Sequence, residues 1–149
     1  MLNTYYLTPD DSLNLIFRLC LALLIGAIIG IERQFKHKPA GFRTHMLVSF
    51  GSAVFVIIPL QGALPQMTGD ALSRVIQGVA AGVGFLGAGE IARQSSPESQ
   101  RIKIQGLTSA ASIWVSAALG VAAGCGLWRL GLIGAVLTFV VLNIFKKLE

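Results

Sequence analysis

The segment from Leu107 to Phe145 carries one charged residue, Arg129. As a single straight helix it would be roughly 58 Å long at 1.5 Å per residue. The hydrocarbon core of a bilayer is only about 30 Å thick. The chain must therefore reverse, and Gly124-Cys125-Gly126 is the obvious breaker. Spans are expected near Leu107–Gly124 and Leu127–Phe145, with Trp128 and Arg129 at the interface, where Trp is favoured. Composition supports lipid as the solvent. Of 149 residues, 54% are hydrophobic and 13% charged, and the mean hydropathy is +0.70. A soluble domain carries about 25% charged residues, and half that supply cannot cover a water-facing surface.

Three further apolar runs have spanning length. The first extends from Ser12 to Ile31, preceded by Thr8-Pro9-Asp10-Asp11, a cap residue, a proline and two acids that suit a helix start. The second runs from Arg43 to Leu60 and the third from Arg74 to Ala92. The sequence thus predicts an all-α fold, a polytopic bundle of about five transmembrane helices, as one domain over 1–149 with no soluble C-terminal domain. The acidic start lacks the basic n-region of a cleavable signal peptide, so the first span is expected to be retained.

Basic residues give the expected orientation. Arg33, Lys36, Lys38, Arg43, Arg93, Arg101, Lys103, Lys146 and Lys147 fall on one side of the alternating spans; Arg18, Arg74 and Arg129 fall on the other. The positive-inside rule places the nine in the cytoplasm, the N-terminus outside and the C-terminus inside. The same distribution accounts for the net charge of +5 without a nucleic-acid partner. Cys20 and Cys125 lie in separate segments with no metal spacing, and the two histidines share one loop–helix region. No metal, cofactor or catalytic motif is expected, and the chain reads as a non-enzyme.

Small residues recur where helices would meet. Thr108, Ser112, Ser116, Gly120 and Gly124 repeat every four residues in the fourth span. Gly78, Gly82, Gly84, Gly87 and Gly89 thin the third, and Gly26 and Gly30 the first. In lipid, close backbone packing at such residues holds helices together. The pattern fits packing within one bundle, a homo-oligomer seam or a thin-walled cavity. Ionisable residues at membrane depth are costly and therefore functional candidates. Topology gathers Glu32, Arg33, Arg43, Thr44, Glu90, Arg93 and Thr108 at the inner end of the bundle. There they form either register-fixing ion pairs or a site for an ion, a lipid head group or a partner helix. Gln77 is expected to hydrogen-bond between helices, and Arg18 to snorkel outward or pair with Asp10 or Asp11.

Four segments together resemble the MgtC/SapB family of bacterial membrane proteins: Gly26–Gln34 (GAIIGIERQ), Ala40–Val48 (AGFRTHMLV), Gly82–Gly89 (GVGFLGAG) and Gly106–Trp114 (GLTSAASIW). The family's Glu-Arg pair matches Glu32 and Arg33, its Ala-Gly-x-Arg-Thr turn matches Ala40 to Thr44, and its Asp and Arg before the third span match Asp70 and Arg74. Where members usually carry Thr-Thr-Ala-Ala, this chain has Thr108-Ser109-Ala110-Ala111, which keeps a hydroxyl. Many members also carry a cytoplasmic C-terminal domain, whose role is not carried over. The resemblance implies a multi-pass protein of the bacterial inner membrane, tied to growth in low magnesium and, in pathogens, to virulence through survival inside host cells. It implies a regulator that binds other membrane proteins, including the ATP synthase; the apolar spans and the small-residue repeats add the lipid bilayer and a second copy of the chain as expected partners. The alternative it leaves open is a small oligomeric cation transporter or channel, with Glu32 and Glu90 along the path.

Overall fold

The computed structural model describes residues 11–62, 65–94 and 105–144, without the side chains of 62, 65–68, 93 and 94. Among them are five helices and no strand: α1 (Ser12–Phe35), α2 (Phe42–Gly62), α3 (Pro65–Gln94), α4 (Leu107–Gly124) and α5 (Trp128–Ile144). Four are long and apolar enough to cross a membrane. The 17-residue α5 is apolar but lies at the lower limit of about 17 residues for a crossing.

Helix ends follow local chemistry. Asp11 caps α1, its carboxylate accepting from the Asn14 amide at 3.1 Å; Thr8, Pro9 and Asp10 lie outside the described residues. Pro65 occupies the first helical position of α3, where its missing N–H costs nothing. That helix consequently starts well before the expected Arg74. The α4–α5 reversal falls at the predicted breaker. Gly126 adopts the left-handed conformation, φ 79°, and its N–H and that of Leu127 bond back to Ala123 and Ala122. This is a Schellman closure. The same closure ends α1, with His37 at φ 50° in the glycine position.

α4 is the centre of the bundle and touches all four other helices. Of its span, 56% is buried, against 39% for α1 and α2 and 11% for α3. The reason is side-chain size. A Cβ at Gly120 would overlap the Ser49 carbonyl and lie 2.7 Å from Ser49 Cα, and one at Gly124 would lie 2.7 Å from the Ala53 carbonyl oxygen. On the other flank of α2, a Cβ at Gly26 would sit 2.6 Å from Met46 Cα, and one at Gly30 2.7 Å from Phe42 Cα. Only glycine permits backbones this close, so α2 is gripped between the glycines of α1 and those of α4. The core formed there is Leu21, Ala22, Ile25, Ile29, Ala53, Leu119, Ala123 and Ala135.

α3 departs from expectation. A Cβ at Gly78, Gly82, Gly84 or Gly89 would meet nothing within 4 Å; at Gly87 alone it would touch a neighbour, Ala110 Cβ at 3.4 Å. Four of the five α3 glycines assigned to helix packing therefore face outward in the isolated chain. Val83 is buried, with Val79 packed against the same small cluster, so α3 leans on the bundle along one edge. Its other sides stay uncovered.

Candidate functional site

The end of the bundle where α1 finishes carries a buried polar cluster. Glu32 and Arg33 are the last buried residues of α1, at 4% and 3% exposure. The Arg33 guanidinium donates through Nη2 to Ser109 Oγ at 2.6 Å, tying α1 to the start of α4. Its Nη1 lies 3.9 Å from the Glu32 carboxylate. The stronger partner of Glu32 is Lys36, one turn on, which forms an ion pair with it. Lys36 also donates to the Leu142 carbonyl at 2.9 Å, placing a cation on the negative C-terminal end of α5. Glu90 of α3 lies within electrostatic reach of the Arg33 guanidinium.

Hydroxyls continue the cluster deeper. His45 has no exposed surface, and its Nδ1 shares a hydrogen bond with Ser116 Oγ at 2.8 Å. Ser49 donates to the Ala22 carbonyl at 2.7 Å, and Ser112 to the carbonyl of Ser109 at 2.8 Å. Arg33 Nε and His45 Nε2 make no well-formed hydrogen bond among the described residues, although the Ala40 backbone interacts with the His45 ring. The serines of α4 thus line the inside of the bundle rather than an outer seam.

Sequence-nominated residues divide in two. Glu32, Arg33 and Glu90 come together. Arg43 and Thr108 are exposed and stand outside the buried cluster, while Thr44 is half-buried. The Arg93 side chain lies outside the described residues. In their place the structure brings in Lys36, His45, Ser109 and Ser116. Inclusion of His45 has a sequence signal in hindsight: it sits one turn from Ser49 on one α2 face, and each faces an α4 position.

A second polar knot closes the opposite end. Arg18 is 1% exposed. Its Nε donates to Asn14 Oδ1 at 3.0 Å and its Nη1 to the Gly124 carbonyl at 2.9 Å. Asn14 in turn donates to Asp11 at 3.2 Å. Arg18 therefore does not snorkel; it turns inward because the carbonyls ending α4 offer a negative helix terminus. Burial beside it pushes the Cys125 thiol up, with the Arg18 charge working the other way.

The interior hydrogen bonds have unequal value. Ser116→Ala is expected to lower stability by about 1–3 kcal/mol, because it strips the His45 ring of its bond to α4 inside the bundle. Ser112→Ala should cost less, since its hydroxyl only returns to its own helix. Thermal unfolding of the two purified variants in one detergent compares them; equal losses would remove His45–Ser116 from the cross-links.

Apolar helices around a paired polar interior define a polytopic all-helical membrane protein. Within that class, the chain belongs to the MgtC family, whose model matches residues 19–149. It is 51% identical over 152 residues to Protein SrpB of Synechococcus elongatus, covering 99% of this chain and 84% of that one. It is 42% identical over 137 residues to the Escherichia coli K12 protein named putative magnesium transporter YhiD, covering 89% of this chain and 61% of that one. It is 42% identical over 107 residues to Protein MgtC of Brucella abortus, covering 71% and 40%. The chain thus spans less than two thirds of the YhiD and MgtC relatives. No solved structure gave a significant match.

Proposed function

We propose that this chain is a regulatory interaction protein of the bacterial inner membrane, acting through helix contacts on other membrane proteins and linked to low-magnesium adaptation or intracellular survival. It works without a catalytic step, with its N-terminus outside and C-terminus inside. The observation that carries this reading is α3: a 24-residue apolar span only 11% buried, with Gly78, Gly82, Gly84 and Gly89 uncovered. Between α3 and α2 lies an apolar groove of about 590 Å³, lined by Val48, Gly51, Phe55, Gly78, Gly82 and Leu86 among others. A groove whose walls include three glycines admits a foreign helix close to the backbone. The buried polar cluster then acts as a fixed floor that holds α1, α4 and α5 in register behind it.

The test uses Gly78→Leu and Gly82→Leu. Both add bulk into open space, so insertion and thermal stability are expected to stay near wild type. Crosslinked partner capture in native membranes and growth at low magnesium are expected to fall together. Variants that fold, capture partners and grow as wild type would remove the groove from function.

The second reading, a small oligomeric cation transporter or channel, is favoured by one feature: the buried Glu32 carboxylate beside Arg33, whose guanidinium is also within electrostatic reach of Glu90 and His45. Purified protein in liposomes decides it. Magnesium flux by the wild-type protein would support it; absence of flux under every gradient would leave the interaction role.

A further inference from the structure

Among the described residues, the Gln77 side chain, at membrane depth, finds no partner on another helix. Gln77 lies about 12 Å into the α3 span at 1.5 Å per residue, and it is exposed on the bundle's surface. Its contact is with Ser73 of its own helix, Nε2 to Oγ at 3.4 Å, longer than an ordinary hydrogen bond. The amide keeps donors and an acceptor to spare, and hydrocarbon supplies neither. The interhelical hydrogen bond expected of Gln77 therefore points outside the chain.

The residues that share its helix side say what covers it. Asp70, Arg74, Gln77, Ala81, Gly84 and Ala88 are spaced four and three apart in turn, and all are exposed. This 3.5-residue repeat keeps one seam facing a neighbouring helix along a left-handed crossing. The seam is turned away from Val79 and Val83, through which α3 leans on the bundle. It is also distinct from the Gly78–Gly82 side that lines the groove.

We propose that α3 is a self-association seam, in which Gln77 of one copy pairs with Gln77 of a second copy across a two-fold axis along the membrane normal. Copies of one protein insert with the same orientation, so their α3 helices run parallel and like residues meet at like depth. An amide is self-complementary, since each Nε2–H can donate to the other Oε1. Ala81, Gly84 and Ala88 are small enough to bring the backbones within reach of that exchange. At the seam's polar end like charges sit at equal depth, and the long Arg74 side chain of each copy offsets this by reaching back one turn, about 6 Å, toward Asp70 of the other. The occupant thus matches the seam in polarity at Gln77 and in size at Ala81, Gly84 and Ala88, and in charge through the diagonal between Arg74 and Asp70. This contact uses a face separate from the groove, so it holds or fails independently of partner binding there.

Single cysteines at Ala81, Gly84, Ala88, Gly78 and Gly82, placed in a Cys20→Ala, Cys125→Ala background, test it by oxidative crosslinking in native membranes. Disulfide-linked dimers are expected at 81, 84 and 88, and at least about tenfold less at 78 and 82. Gln77→Leu should weaken the dimer in mild detergent about tenfold, a typical worth for an interhelical amide bond, while Gln77→Asn retains it. A flat crosslinking profile, a maximum at 78 and 82, products containing only another protein, or an undiminished Gln77→Leu dimer would each overturn the seam.

Discussion

Gly120→Leu is expected to leave no folded protein, whereas Gly82→Leu melts within a few degrees of wild type. Both replace a helical glycine in an apolar span, and the sequence offers no reason to rank them. The structure does. At Gly120 the space for a Cβ is occupied by backbone, the carbonyl and Cα of Ser49. Backbone cannot rotate aside as a side chain can, so α2 and α4 would have to separate along their whole contact. Separation also lengthens His45–Ser116 at 2.8 Å and disturbs α2 where Ser49 reaches Ala22. Overpacking a well-filled core costs about 1–3 kcal/mol when side chains can adjust. Here alanine alone should reach the top of that range, and leucine should exceed the margin of about 5–15 kcal/mol that keeps a domain folded. At Gly82 nothing lies within 4 Å, and removing a helical glycine restores about 0.5–1 kcal/mol of backbone entropy. Protease protection in membranes, followed by thermal unfolding in detergent, measures both. A Gly120→Leu protein as protected as wild type would refute the glycine grip on α2.

The contrast shows which parts of the fold are legible in sequence. The α1 start, both α4 ends and the reversal at Gly124–Gly126 follow from caps, glycines and the length limit of a bilayer, all local properties. Which glycine meets which helix is not local. In a soluble helix the polar face marks the outside. In α3 and α4 both faces are apolar, so Gly82 and Gly120 look alike until the neighbours are placed. The polar cluster is mixed for a related reason. Glu32 and Arg33 are legible because the first span ends on them. Lys36 and Arg43 both belong to the short basic link after that span, and only one turns inward. The Schellman turn at His37 decides, since it folds the end of α1 so that Lys36 reaches Glu32 and Leu142 while Arg43, at the start of α2, is left facing out. Arg18 follows the same logic. Its partner is the Gly124 carbonyl at the far end of another helix, a place that spacing along the chain does not reveal.

Glu32→Ala is the second large effect expected, and it falls on stability before it falls on any partner. Glu32 is 4% exposed and stands between two cations, Arg33 at 3% exposure and Lys36. Deleting its carboxylate leaves the Arg33 guanidinium buried with Ser109 as hydrogen-bond partner and Glu90 as the acid still within reach. Removing one partner of a buried ion pair costs about 3–5 kcal/mol, and Glu90 holds the loss toward the lower end. Lys36 is less enclosed and can move toward water, but it then releases the Leu142 carbonyl and the end of α5 with it. Two signatures follow: a large drop in thermal stability, and earlier proteolysis at the α5 end than elsewhere. Glu32→Gln should lie close to alanine, because the lost quantity is charge rather than volume. Arg43→Ala, on an exposed side chain, should stay within about 0.5 kcal/mol of wild type. The double variant Glu32→Leu, Arg33→Met removes both charges at once and should recover part of the Glu32→Ala loss, since a well-packed apolar pair is often no worse than a buried ion pair. Unfolding curves for the four variants in one detergent settle the ranking. If Glu32→Ala proves as mild as Arg43→Ala, the ion-paired cluster does not hold α1 to α4 and α5, and Glu32 is free to serve the transport reading instead.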